Sequence, residues 1–321
     1  MEGSDASSPL SDASGDEFNT SGSKSKTQSR KKTQSGKKSN QDLRLDPGSS
    51  QVKLSREQRD WITTMWNTMF EGTQPSIIAQ HGPRVLGKEQ VRRWADMIEK
   101  SGKKIILNVS AYKFREWNPE VSQMSRSTMD IAAKVSGGAT FDYTKKINNF
   151  LSVMQVAEEN NLDAKYARPG FWNDPDMMVV GSQGLSIEEQ KSHFSLWCIM
   201  SSPLFLGNDP RFMTKDEKLL ITNREAIKVN QDSTEQGVRI KQSGDTEVWA
   251  KKMRDGKVAV LLLNRSSYNA SDITVTLKDL GIDSEMKVED IYENKNLGKI
   301  ESQFTTKLNP QTSHFILLSK K

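Results

Sequence analysis

The chain has 321 residues, 27% of them charged and 34% hydrophobic, with a formal net charge of +5. Cys198 is its one cysteine, which excludes an internal disulfide and a cysteine-built metal site, and three scattered histidines (His81, His193, His314) argue against zinc. No run of about 18 apolar residues is present, so no helical membrane span is expected. Residues 1–40 contain no apolar run of the kind a secretory leader needs.

Residues 1–50 hold one Phe and no Trp, Tyr, Val or Ile. That is too little apolar surface to offset the entropy of ordering, and a disordered Ser/Lys-rich tail is expected there. Within it, Lys24 to Lys38 carries seven basic residues and no acid. Such a block is a nuclear-import or nucleic-acid patch in some proteins and a plain solvated tail in others. No aromatic residue is interleaved with the lysines, so base stacking is not supported.

Order is expected from about residue 51. The run SREQRDWITTMWNTMF places Trp61, Met65, Trp66 and Met69 at helical spacing behind Ser55 as N-cap, a stripe read as core packing. GKEQVRRWADMIEKSG is a second helix, with Val91, Trp94, Ala95 and Ile98 on its apolar face and Gly102 as its stop. KKIILNVS then reads as a strand. The rhythm repeats. DYTKKINNFLSVMQVAEEN is an amphipathic helix (Ile147, Phe150, Leu151, Met154, Ala157), and residues 172–180 supply a strand. SIEEQKSHFSLWCIMSS is a helix with a Ser186/Glu189 capping box. PLFLGND reads as a buried strand and TKDEKLLITNREAIKVNQD as a last helical stretch. Helix, short loop, apolar strand is the pattern of parallel β/α folds.

After Gly237 the period changes. TEVWAKKM, KVAVLLLNRS, DITVTLKDL, MKVEDIYE and SHFILLSK are short strands between turn signals such as Asp255-Gly256. They predict an all-β module. The expected organisation is therefore a tail (1–50), a β/α domain (51–235) and a β-sandwich (236–321).

Catalytic side chains of parallel β/α folds sit at the carboxyl ends of strands and on the loops that follow. Three stretches qualify: SRSTMDI with Arg126 and Asp130, WNDPDMM with Asn173, Asp174 and Asp176, and GNDPR with Asn208 and Asp209. The plain alternative for an Asp near an Arg is a structural ion pair, and Asn-Asp-Pro is also a turn signal. No acid pattern resembles a divalent-ion loop. Asn108, Asn264 and Asn269 each begin an Asn-x-Ser glycosylation pattern.

SRSTMDI, ARPGFWNDPDMMVVG, EEQKSHFSLWCIMSSPLFLGND, LLITNREAIKVNQD and VWAKKMRDGKVAVLLLNRS follow one another in an order and spacing that resemble the family-27 glycoside hydrolases. This is the melibiase or α-galactosidase family, which includes α-N-acetylgalactosaminidases. The resemblance runs from about Gly102 to the C-terminus. It implies a (β/α)8 barrel followed by an antiparallel β-sandwich, a galactoside substrate, and no metal or cofactor. It also implies retaining hydrolysis, which uses two carboxylates about 5–5.5 Å apart. By the family's Arg-x-x-x-Asp-Ile motif, Asp130 is the acid/base and Arg126 holds sugar and acid; Trp172, Asp174 and Asp176 brace the site. The acid must be protonated near neutral pH, so burial or the partner carboxylate is expected to raise its pKa.

The resemblance also has gaps. The family's nucleophile motif on strand four, apolar-Lys-apolar-Asp, is not found, nor is the Asp-Asp pair of strand two. Asp60 and Asp96 lie inside helical patterns, and SIIAQHG ends without an acid. Where the family has Cys-Glu-Trp after strand five, this chain has Ser110, Ala111 and Tyr112. The expectation is a partial barrel in which strands five to eight are recognisable. Turnover by this chain is in question, and a second copy or a completing partner chain is a candidate to close the barrel. The alternative reading is a non-catalytic relative that binds carbohydrate or protein.

Overall fold

A computed structural model describes residues 87–110, 114–131, 150–182 and 184–320. The expected tail, the Trp61 helix, the Ala111–Tyr112 pair and the first half of the Ile147 helix lie outside the described residues.

Helix α1 (Lys88–Lys100) begins where Gly87 N–H donates to Gln90 Oε1 at 2.9 Å. It ends at Ser101, followed by Gly102 at φ +64°, a left-handed conformation that glycine adopts without strain. Of its predicted apolar face, Val91 is buried and packs with Val109 and Val121. Three short strands follow: β1 (Asn108–Val109), β2 (Met124–Arg126) and β3 (Trp172–Asp174). They form a parallel sheet in that order, with Asn108 opposite Met124, Met124 opposite Trp172, and Arg126 opposite Asp174. Helix α2 (Phe150–Leu162) precedes β3 and buries Phe150, Val153, Met154 and Ala157.

Helix α3 (Ile187–Ile199) carries the predicted capping box. Glu189 N–H donates to Ser186 Oγ at 3.2 Å, and Ser186 N–H donates to Glu189 Oε2 at 2.7 Å. The helix is buried nearly all round from Gln190 onward, so it is not a surface helix with one wet face. Helices α4 (Lys215–Ile221) and α5 (Arg224–Gln231) follow, capped by Thr214 and Asn223.

The C-terminal part is antiparallel throughout. Its strands are β4 (Val238–Ser243), β5 (Thr246–Lys252), β6 (Val258–Asn264), β7 (Ser271–Thr276), β8 (Met286–Asp290), β9 (Lys295–Ile300), β10 (Gln303–Leu308) and β11 (Ser313–Ser319). Six of them form one sheet in the order β4-β5-β6-β11-β8-β9, and β10 pairs with β7 in a second. The larger sheet has two buried faces. Ala259, Leu261 and Leu263 of β6, with Trp249, Phe315 and Leu317, join a core that includes Phe194, Trp197 and Ile199 of α3. Val258, Val260 and Leu262 face the other way, into a core with Ile273 and Val275 of β7. Alternation with period two is what divides one strand between two cores. Gly237 stands at the join: its N–H donates to Ile199 O at 2.9 Å, and a Cβ there would meet Ile199 O, Ile199 Cγ1 and Lys251 Cβ.

Four expectations are corrected. KKIILNVS is a strand only at Asn108–Val109, and Ile106 is 68% exposed. PLFLGND is not a buried strand: Leu206 makes one parallel bridge to Met178, and Phe205 is 57% exposed. The last helical stretch is two helices, because the Asn223 side chain accepts from Ala226 N–H and starts a new one. Leu151, expected on the apolar face of α2, is exposed.

Candidate functional site

The parallel strands end in a compact polar cluster. Arg126 is the last residue of β2, and its side chain is 12% exposed. Its Nη2 lies 3.0 Å from Asp130 Oδ1 and 2.9 Å from Asp176 Oδ2, so one nitrogen bridges two carboxylates. The same nitrogen donates to Thr128 O at 3.3 Å. The buried Nε of Arg126 has no partner.

Asp174 closes β3. Its Oδ2 accepts from Asn108 Nδ2 at 2.5 Å, and its Oδ1 accepts from Asp176 N–H at 2.9 Å. Asn108, noticed in sequence only as a glycosylation pattern, thus ties β1 to β3 across β2. Ser127 N–H donates to Asp174 O at 2.9 Å, and Thr128 Oγ1 donates to Pro175 O at 2.9 Å, so the loop after β2 lies along the loop after β3. Trp172 is half-buried at the start of β3, with its N–H donating to Gln123 O.

Asp176 has φ +112°, a conformation that costs about 1–3 kcal/mol in a non-glycine residue and persists where surroundings enforce it. The enforcing contacts are plain. Asp176 Oδ2 accepts from Ile131 N–H at 2.7 Å, Oδ1 accepts from Met177 N–H at 2.6 Å, and Asp176 O accepts from Trp197 Nε1 at 2.9 Å. Burial pushes the Asp176 carboxyl above the usual aspartate value; the Ile131 N–H, Arg126 and Met177 N–H pull it back in part, and the Asp130 charge pushes it up further. The two acids on Arg126 differ in exposure: the Asp130 side chain is 50% exposed and that of Asp176 12%.

Asp130, Arg126, Asp174 and Asp176 are therefore together, with Trp172 on the same strand as Asp174. The GNDPR stretch is not in this cluster of contacts: Asp209 caps a turn through Arg211 N–H and pairs with the Arg211 guanidinium. Ile131, Trp197, Thr128 and Asn108 were missed, because their roles come from contacts across 21 to 66 residues of sequence or from backbone N–H groups. Among the described residues no group of three or more His, Cys, Asp and Glu is arranged to hold a metal. His193 is a packing residue: Nε2 accepts from Val179 N–H at 3.0 Å, the ring meets Trp197 edge-on, and burial pushes its pKa down to about 3. No helix among the described residues is long and apolar enough to cross a membrane.

Residues 87–232 match the family model described as alpha galactosidase A, and residues 243–318 match that of the alpha galactosidase C-terminal beta sandwich domain. Alpha-galactosidase 2 of Arabidopsis thaliana is 32% identical over 240 residues, covering 73% of this chain and 57% of that protein. The alpha-galactosidase of Cyamopsis tetragonoloba is also 32% identical, covering 73% and 54%. The chain thus spans about half the length of these curated relatives. Among solved structures, alpha-galactosidase I of Mortierella vinacea superposes with a TM-score of 0.63 at 25% identity, covering 74% of this chain and 64% of that one. A GH27 β-L-arabinopyranosidase from Geobacillus stearothermophilus superposes with a TM-score of 0.64 at 24% identity, covering 73% and 54%, a likeness of fold.

Proposed function

We propose a function for this chain on one premise: over residues 87–318 it belongs to glycoside hydrolase family 27, the α-galactosidase family. The proposed chemistry is the proton-transfer half of retaining α-galactoside hydrolysis, with Asp130 as acid/base and Arg126 as its holder and a sugar contact. The observation that carries it is the bridge from Arg126 Nη2 to Asp130 and Asp176 at the strand ends, beside the unpartnered Nε of Arg126, a buried donor in want of an acceptor. In this reading β1, β2, β3 and the Met178–Leu206 bridge correspond to barrel strands five to eight, and Trp172, Asp174 and Asp176 brace the rim. Residues 236–321 form the family's sandwich domain.

The reaction has two steps. A carboxylate attacks the anomeric carbon as its bond to the leaving oxygen breaks, and Asp130 gives that oxygen its proton. Asp130, now ionised, takes a proton from water as the water oxygen attacks the same carbon and releases the carboxylate. Asp174 and Asp176 do not suit the attacking role, since both are bound by backbone N–H groups and by Asn108 or Arg126. The nucleophile is therefore assigned outside this cluster, to another segment or another chain, and turnover by the cluster alone is slow.

Azide tests this assignment, because a small anion can stand in for a carboxylate nucleophile. The purified chain with nitrophenyl α-galactoside and azide is expected to yield β-galactosyl azide. Asp130→Asn should slow reaction of an alkyl galactoside about 10²–10⁴-fold and that of a dinitrophenyl galactoside far less, since the better leaving group needs no proton. An alkyl galactoside consumed equally fast by Asp130→Asn would remove Asp130 from the role. Saturable galactose binding with no azide product would favour the non-catalytic reading.

A further inference from the structure

Asp176 holds the Asp130 loop in two independent ways. Its Oδ2 faces Arg126 Nη2 at 2.9 Å, and that nitrogen also holds Asp130 Oδ1 at 3.0 Å. The same Oδ2 accepts the N–H of Ile131, the peptide directly after Asp130, at 2.7 Å. The contacts are a charge and a backbone hydrogen bond, and both converge on one side of the Asp130 turn only if Asp176 keeps its left-handed backbone, which Trp197 and Asp174 secure.

We infer that Asp176 is a positioning residue for proton transfer at Asp130, acting through the Ile131 N–H and through an Arg126 cation that the two carboxylates share. The inference rests on the assignment of proton transfer to Asp130. A carboxylic acid beside an unshared guanidinium is held in its ionised form. Here Asp176 supplies the guanidinium's counter-charge from the buried side, which leaves the half-exposed Asp130 free to gain and lose a proton during turnover. The charged groups acting on Asp176 are Arg126 and Asp130. Asp174 lies behind it, with one oxygen on the Asp176 N–H and the other on Asn108. Burial raises the proton affinity of Asp176, and the Ile131 N–H, Arg126 and Met177 N–H oppose that rise, favouring the charged form that the sharing requires.

The arrangement makes the two protons a coupled pair, and coupling is reciprocal: what Asp130 does to Asp176, Asp176 does to Asp130. It can therefore be read at Asp176 alone. In the full chain with 13C-labelled aspartate carboxyls, Asp130→Asn should lower the Asp176 titration midpoint by about half a pH unit or more, since a neighbouring anion is lost. Arg126→Gln should raise it by a similar amount. The Ile131 amide resonance should follow the Asp176 midpoint in the wild type and lose that pH dependence in Asp176→Asn.

An Asp176 midpoint unmoved by Asp130→Asn, in a variant with the wild-type amide spectrum, would overturn the inference. So would an Ile131 amide indifferent to Asp176. Because Asp130 is half-exposed, its Asn variant leaves the core intact and carries the test even where Arg126→Gln does not fold. Turnover is not measured, so loss of the coupling would sink the positioning role while leaving Asp130 as proton donor.

Discussion

At the residue scale, side chains of like chemistry are separated by what surrounds them. Asp130 and Asp176 share one arginine nitrogen, yet one is half-exposed and the other is nearly buried. Lys251 makes the same point for a cation. It is 2% exposed and donates to Ser201 Oγ at 2.5 Å, Val229 O at 2.9 Å and Asp232 O at 3.0 Å. Burial pushes its pKa from 10.5 down to about 8, against the opposing pull of Asp232. Between those two values the unfolded chain binds more protons than the folded one, so this group's contribution to stability rises as pH rises from about 8 to 10.5. The difference in urea-unfolding free energy between wild type and Lys251→Met should grow in favour of the wild type across that window, by up to about 3 kcal/mol. A constant difference would show that Lys251 stays charged to its ordinary value. At this scale the sequence was legible where a motif is local: Arg126 and Asp130 are four residues apart. It was not legible for Trp197 or Ile131, whose parts depend on an indole and a backbone N–H brought to Asp176 by the fold.

At the element scale, capping chemistry was read correctly from four letters. The Ser186/Glu189 box at the start of α3 satisfies two N–H groups reciprocally. Ser186→Ala should destabilise the fold by about 1 kcal/mol in chemical denaturation, and a change below about 0.3 kcal/mol would mean that α3 is held by burial alone. Strands were read less well, for a reason in their composition. β5, β6 and β11 are rich in buried apolar residues and were predicted. β4 and β9 were missed because they are the two edges of the large sheet, mostly exposed and lysine-bearing at Lys241, Lys295 and Lys299. Charged edges discourage pairing with other chains, and they also erase the hydrophobic signal. The opposite error occurred at PLFLGND, where an apolar run looked buried yet leaves Phe205 largely in solvent.

At the scale of the whole molecule, the change of period after Gly237 correctly marked where β/α gives way to antiparallel strands. What the sequence did not disclose is that the boundary is not a gap in the packing. Gly237 lets the chain pass against Ile199 O with no room for a side chain, and the core of α3 continues into β5, β6 and β11. The reason is that a strand with seven consecutive buried residues looks the same in a sequence whichever layer covers each face. That strand, β6, has neighbours in every direction: β5 and β11 beside it, the α3 core on one face and the β7 core on the other. Its consequence is one of time. Water reaches most backbone amides through small local openings, but β6 can open only when both cores part. In deuterium its amides should be the last to exchange, at the rate of global unfolding, while those of α1, which buries Val91 alone, exchange early.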